Sequence, residues 1–236
     1  MKKILINNVG LLSDLDRLAQ QVLAHPMTYS YLPKPNISMA KLKEKMDAND
    51  GIMDESNTID YAGRIFQTHE YIHQRAIPGV SKTFNQPTPC TLKNHLIDYV
   101  RRRTDNKQWE MDTWEIQPDK WGWTPWHNGK DKPINFVRFV WNSGTGFTRY
   151  VSHDKKAYKY QDSKYSGQKC WNCLVGKLDG RQWLADRNTG IHKRVVIQLA
   201  LPSKYDKAHE EFIDMIQNGN KTETYDMWDS ERANAS

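Results

Sequence analysis

Two imidazoles one helical turn apart, with a carboxylate beside the first, can hold zinc and polarise a water, and the chain offers this pattern as His69-Glu70-Tyr71-Ile72-His73. A zinc peptidase needs a third ligand further along. None stands at a recognised spacing, and Pro78-Gly79 stops any helix soon after His73. The segment therefore reads as polar residues on a strand or short helix, with Phe66 and Ile72 turned inward. Cys170-Trp171-Asn172-Cys173 has the spacing of half a structural zinc site, but such a site takes about four ligands and no second pair follows. Two thiols on one strand is the simpler reading. A third set is dispersed. His127 follows the tryptophan-rich turn Trp121-Gly122-Trp123-Thr124-Pro125-Trp126 and is trailed by Gly129 and Asp131, while His192 and Arg194 stand at the head of the apolar run Val195-Val196-Ile197.

These groups need elements to position them. The 236 residues fit one domain of generous size, and nine Trp with eleven Tyr suggest an aromatic-lined core or pocket. The start predicts a strand over 3–7 and a helix over 13–24, with Ser13 to Asp16 resembling a capping box and Leu15, Leu18, Val22 and Leu23 on one face. A second helix is expected over 38–48, and a third over 91–103 with Leu92, Leu96, Ile97 and Val100 inward. From Trp109 the pattern becomes that of strands: 109–116, 134–141 and 194–201 read so. Asn142-Ser143-Gly144-Thr145-Gly146 reads as a hairpin turn, with glycines supplying positive φ, into a strand from Phe147 to Val151. The Tyr- and Lys-rich stretch 152–169 reads as an exposed insertion, and 207–217 as a last amphipathic helix. The expected organisation is one domain over 1–217, made of a helical flank with first strands (1–108), a β core (109–201) and a closing helix (202–217), followed by a polar tail over 218–236.

From about Phe66 to Leu201 the chain resembles the small Fe(II)/2-oxoglutarate oxygenases encoded by tailed phages. The resemblance is carried by Phe66-Gln67-Thr68-His69, the helix before Trp109, His127, the stretch from Val140 to Thr148, Asn172-Cys173-Leu174-Val175 and Arg194-Val195-Val196-Ile197. It implies an α+β chain built on a double-stranded β-helix, a jelly-roll or cupin-like barrel, with N-terminal flanking helices. That family holds iron through His-x-Asp and a distal His, leaves positions open for 2-oxoglutarate and oxygen, and pairs an Arg on a late strand with the far carboxylate of 2-oxoglutarate.

Carried onto this chain, the resemblance makes Arg194 the co-substrate arginine and His127 the first ligand. Gly129 stands where the carboxylate of His-x-Asp is expected, and counting about ten residues back from Arg194 reaches Trp183 instead of a histidine. Three readings follow. Either His127, Asp131 and His192 bind iron through a shifted loop and the protein hydroxylates a substrate; or Gly129 leaves a coordination position for halide; or the iron site has decayed, Trp183 fills the space, and the barrel is kept as a structural or binding module. Trp141, Trp183 and Gly129 are expected at the pocket.

Partners are bounded more loosely. A net charge of +6 permits an anionic partner, but the basic residues are scattered apart from Arg101-Arg102-Arg103, which reads as the wet end of a helix, so nucleic acid is disfavoured. A small-molecule or protein substrate, or other phage proteins, are the expected partners. No apolar run approaches the roughly 20 residues that span a bilayer, Met1 to Ile6 is too short for the apolar core of a signal peptide, and three cysteines give no disulfide framework. A cytoplasmic location, or the virion for a phage protein, is the expectation.

Overall fold

The structure is a computed structural model that describes residues 1–24, 29–30, 82–84, 90–117, 123–128, 133–162 and 170–219, with side chains at 1–20, 96–112, 133–162 and 170–219. The helix expected over 38–48, the segment His69 to His73, Gly129, Asp131 and the tail beyond 219 lie outside these residues.

In chain order the elements are β1 (Lys2–Ile4), α1 (Val9–Ala24), β2 (Tyr29–Ser30), β3 (Lys82–Phe84), α2 (Cys90–Arg103), β4 (Glu110–Gln117), β5 (Trp123–Asn128), β6 (Ile134–Asn142), β7 (Gly146–Val151), β8 (Ala157–Gln161), β9 (Trp171–Leu178), β10 (Trp183–Asn188), β11 (Arg194–Pro202) and, after a 3-10 turn, α3 (Asp206–Asn218). They form a large sheet ordered β1-β9-β6-β11-β4-β3-β2 and a small one ordered β5-β10-β7-β8. From β4 onward the chain alternates between the sheets except at β7 and β8, which are consecutive in the small one, so that β4 pairs β11, β5 pairs β10, β6 pairs β9 and β7 pairs β8, all antiparallel. That nesting of early strands against late ones is a jelly roll, the double-stranded β-helix.

Two different surfaces of the large sheet explain why its strands carry so many buried residues. One face packs under helices: Leu11, Leu15 and Leu18 of α1, Leu96 and Val100 of α2 and Phe212 and Ile216 of α3 meet Val137, Phe139, Val195, Ile197 and Leu199. The opposite face meets the small sheet, where Phe136 and Leu178 pack on Tyr150 and Leu184. With both faces covered, β6 and β11 read as continuous apolar runs instead of alternating ones.

Three local expectations are corrected. Helix α1 starts four residues earlier than Ser13, because Asn8 accepts a hydrogen bond from the backbone N–H of Leu11 at 2.9 Å and is the true cap. The turn after β6 joins no hairpin: β6 belongs to the large sheet and β7 to the small one, so Ser143 to Thr145 carry the chain between layers. Positive φ among the described glycines is found at Gly180, not in this turn. Gly146 matters for closeness instead, since a Cβ there would lie 2.5 Å from Asp162 Oδ2. Finally, the stretch 152–169 is not all insertion, because Ala157–Gln161 pairs with β7 as the outermost strand of the small sheet.

Candidate functional site

Arg194 opens β11 and its side chain is completely buried between the sheets. Such a charge is tolerated only with partners, and all three of its nitrogens have them. Nε donates to Asp162 Oδ2 at 2.8 Å, Nη1 to Asp186 Oδ1 at 3.0 Å, and Nη2 to Thr148 Oγ1 at 2.9 Å and Asp162 Oδ1 at 3.3 Å. Burial opposes the guanidinium charge, but the fields and hydrogen bonds of Asp162 and Asp186 outweigh it and hold the pKa above its ordinary value.

A second buried arginine extends the network. Arg138 on β6 donates through Nη2 to Asp186 Oδ2 and through Nη1 to Gln198 Oε1 at 2.7 Å, and Gln198 Nε2 donates to Asp112 Oδ2 at 2.7 Å. Thr148 donates its hydroxyl proton to Asp186 Oδ1 at 2.7 Å while accepting from Arg194. Asn142 donates Nδ2 to Asp162 Oδ2 at 2.7 Å and accepts the Gly144 N–H on Oδ1 at 2.8 Å. Two guanidinium groups thus face the carboxylates of Asp186 and Asp162, and each carboxylate oxygen accepts at least one hydrogen bond, while the buried Nε of Arg138 has no hydrogen-bond partner among the described residues. The network stitches β6 and β11 of the large sheet to β7, β10 and the end of β8 in the small one.

The sequence-derived candidates fall in separate places. His127 lies on β5, in register opposite Leu184 of β10, and Leu184 is buried with Phe136 and Tyr150. The residue across from the first expected ligand is therefore aliphatic. Trp183 does not fill the space between the sheets as expected; strand alternation turns it to the other face of β10, against Val151 and Ala185. Trp141 packs on the helix-covered side of β6 and so is not beside Arg194. His192 is exposed on the turn before β11 rather than on the strand, and its carbonyl accepts Asn188 Nδ2 at 2.7 Å. Cys173 is buried on β9, where burial pushes its thiol up, and Cys170 precedes the strand with φ 75°. Arg102 and Arg103 are exposed at the end of α2, the wet helix end expected of them.

Among the described residues no group of three His, Cys, Asp or Glu side chains converges as a metal site. A 2-oxoglutarate carboxylate would need free donors on Arg194, but its three nitrogens all donate to residues of the chain itself. The described residues around Arg194 therefore do not fit the 2-oxoglutarate that the sequence resemblance implies, while of the expected iron ligands only His192 has a described side chain. Asp186, Asp162, Thr148 and Arg138 were missed by sequence reasoning, although one signal was present: an arginine inside Asn135-Phe136-Val137-Arg138-Phe139-Val140 must be matched by a carboxylate from elsewhere.

No sequence-family model matches the chain, and no curated protein does. Among solved structures, a prolyl-4-hydroxylase from Pseudomonas putida is similar at 13% identity over 80% of this chain and 98% of its own, with a TM-score of 0.31. A predicted oxalate decarboxylase from Thermotoga maritima is similar at 11% identity over 38% of this chain and 63% of its own, with a TM-score of 0.26. The capsular polysaccharide assembling protein CapF from Staphylococcus aureus is similar at 12% identity over 80% of this chain and 49% of its own, with a TM-score of 0.22. The chain thus spans less than two thirds of the last two. Likenesses of this size assign neither a family nor an activity, and the jelly roll rests on the strand order. No helix among the described residues is long and apolar enough to cross a membrane.

Proposed function

We propose that this chain is a barrel of the Fe(II)/2-oxoglutarate oxygenase type in which the arginine of late strand β11 has been turned to internal cross-linking, and that it works as a binding or structural protein and not as an oxygenase. The observation that carries this reading is the full engagement of Arg194 by Asp162, Asp186 and Thr148. Leu184 across from His127, and His192 on an exposed turn, support it from the metal side. In the competing reading His127, Asp131 and His192 hold iron while Arg194 takes the far carboxylate of 2-oxoglutarate, which requires Arg194 to give up two ion pairs at no exposure to water. A double-stranded β-helix is retained readily without catalysis, because its outer loops and sheet edges present surface independently of its interior. Other phage proteins are the expected partners, on the strength of the sequence resemblance.

The test is anaerobic addition of Fe(II) and 2-oxoglutarate to the purified full chain. The expected result is an unchanged visible spectrum and no rise in melting temperature with 2-oxoglutarate. A metal-to-ligand absorption band accompanied by oxygen-dependent conversion of 2-oxoglutarate to succinate would overturn the reading.

A further inference from the structure

The partners of Arg194 divide into two kinds. Thr148 lies on β7 and Asp186 on β10, both within strands that are flanked on each side. Of the partners named above, Asp162 alone comes from outside the strands. It follows β8, the outermost strand of the small sheet, whose residues are mostly exposed. Its carboxylate nevertheless reaches inward until the side chain is only 4% exposed.

The receptor for that carboxylate is fully formed by the barrel itself. Arg194 offers Nε and Nη2 side by side to the two oxygens at 2.8 and 3.3 Å, and Asn142 adds Nδ2 to Oδ2 at 2.7 Å. Three donors from β6 and β11 thus converge on one carboxylate, the geometry by which a guanidinium takes a carboxylate ligand. Gly146 completes the slot: a Cβ at that position would sit 2.5 Å from Asp162 Oδ2 and 2.8 Å from Asn142 Nδ2. The backbone keeps the occupant in place, since Asp162 N–H donates to Gly146 O at 2.9 Å.

We propose that Arg194, Asn142 and Gly146 form a carboxylate-binding site that the chain fills with its own Asp162, and that a free small aliphatic carboxylate occupies it once the Asp162 side chain is withdrawn. The inference shares Arg194 with the function proposed above but does not depend on it, since it concerns the Asp162 side of the guanidinium and holds whether or not the barrel binds metal.

The experiment is chemical rescue in the full chain. Asp162→Gly removes the equivalent of an acetate ion. The variant is expected to melt below the unsubstituted protein, and to regain stability with sodium acetate by roughly 3 to 5 °C for each tenfold rise above its dissociation constant. Sodium chloride at equal ionic strength is expected to give no such rise. Asp162→Asn keeps the slot filled and is expected to show no acetate response. If Asp162→Gly does not fold alone, its refolding yield in acetate against chloride is the readout, with acetate expected to restore it. Equal effects of acetate and chloride on Asp162→Gly, or an acetate response in Asp162→Asn as large as in Asp162→Gly, would overturn the inference. The iron and 2-oxoglutarate titration tests the other reading separately.

Discussion

Arg138 and Arg194, on neighbouring strands of the large sheet, share a single carboxylate: Asp186 accepts Arg138 on Oδ2 and Arg194 on Oδ1, with all three side chains out of contact with water. Asp186 is supplied by the opposite sheet, so the pairing is also a clamp between layers. Its removal leaves two like charges facing one another in a medium where neither is solvated.

Asp186→Asn keeps the shape of the side chain and discards its charge. The expected loss is about 3–5 kcal/mol, the usual effect of breaking one side of a buried ion network, against a total of about 5–15 kcal/mol for a domain. Urea denaturation followed by tryptophan fluorescence measures it. A loss within about 0.5 kcal/mol, the size of a surface substitution, would show that Asp186 does not carry the charge of both arginines.

Gly146→Ala tests the slot from its other wall. The added methyl would meet Asp162 Oδ2 at 2.5 Å, Asn142 Nδ2 at 2.8 Å and Arg187 O at 2.9 Å, and overpacking of this kind costs about 1–3 kcal/mol. Part of that is relieved when the carboxylate is absent. The loss on Gly146→Ala is therefore expected to be smaller in an Asp162→Gly background than alone, a coupling that a double-mutant cycle reads directly. Simple additivity would count against contact between the two positions.

His209 on α3 gives the fold an acid-sensitive component. Its Nε2–H donates to Phe136 O at 3.1 Å, its ring lies 6.2 Å from that of Trp109, and burial, partly offset by that hydrogen bond, lowers its pKa. Lys177 adds to the lowering, while Asp206 and Glu210 act the other way. Because the folded pKa lies below the unfolded value of about 6.5, the unfolded chain takes up the proton first. The contribution is fully present above about pH 6.5 and is lost as pH falls from there through the folded pKa, by at most about 1.4 kcal/mol per pH unit. His209→Gln should flatten the decline of stability between about pH 6.5 and 5 relative to the unsubstituted chain. Parallel pH curves for the two proteins would remove His209 from the account.

The fold was largely legible in the sequence, and the site was not. Strands β6 and β11 and helix α2 were expected within a residue or two of their bounds, because an apolar run or an amphipathic stripe reports local burial directly. The edge strand β8 escaped because Ala157-Tyr158-Lys159-Tyr160-Gln161 is mostly exposed, and Tyr160 alone, half-buried against the core, makes no alternating pattern. The partners of Arg194 escaped for a different reason. Thr148, Asp162 and Asp186 lie 46, 32 and 8 residues from it, and only the crossing of strands between two sheets brings them to one point. Counting back from Arg194 came within one residue of Leu184, but a slip of one position on a strand exchanges its faces, and so Trp183 was assigned the place that Leu184 holds.

An outermost strand is ordinarily the first part of a sheet to fray. Here β8 is fastened at its far end, where Lys3 Nζ donates to Gln161 O at 2.8 Å and Asp162 is seated on Arg194. Peeling it away would uncover a guanidinium in the interior, so loosening of this rim and hydration of the centre are one event. In hydrogen exchange, the β8 amides bonded to β7 are then expected to be released together with those at the centre of the barrel, giving the sandwich a single opening step where a peripheral ribbon would otherwise have its own.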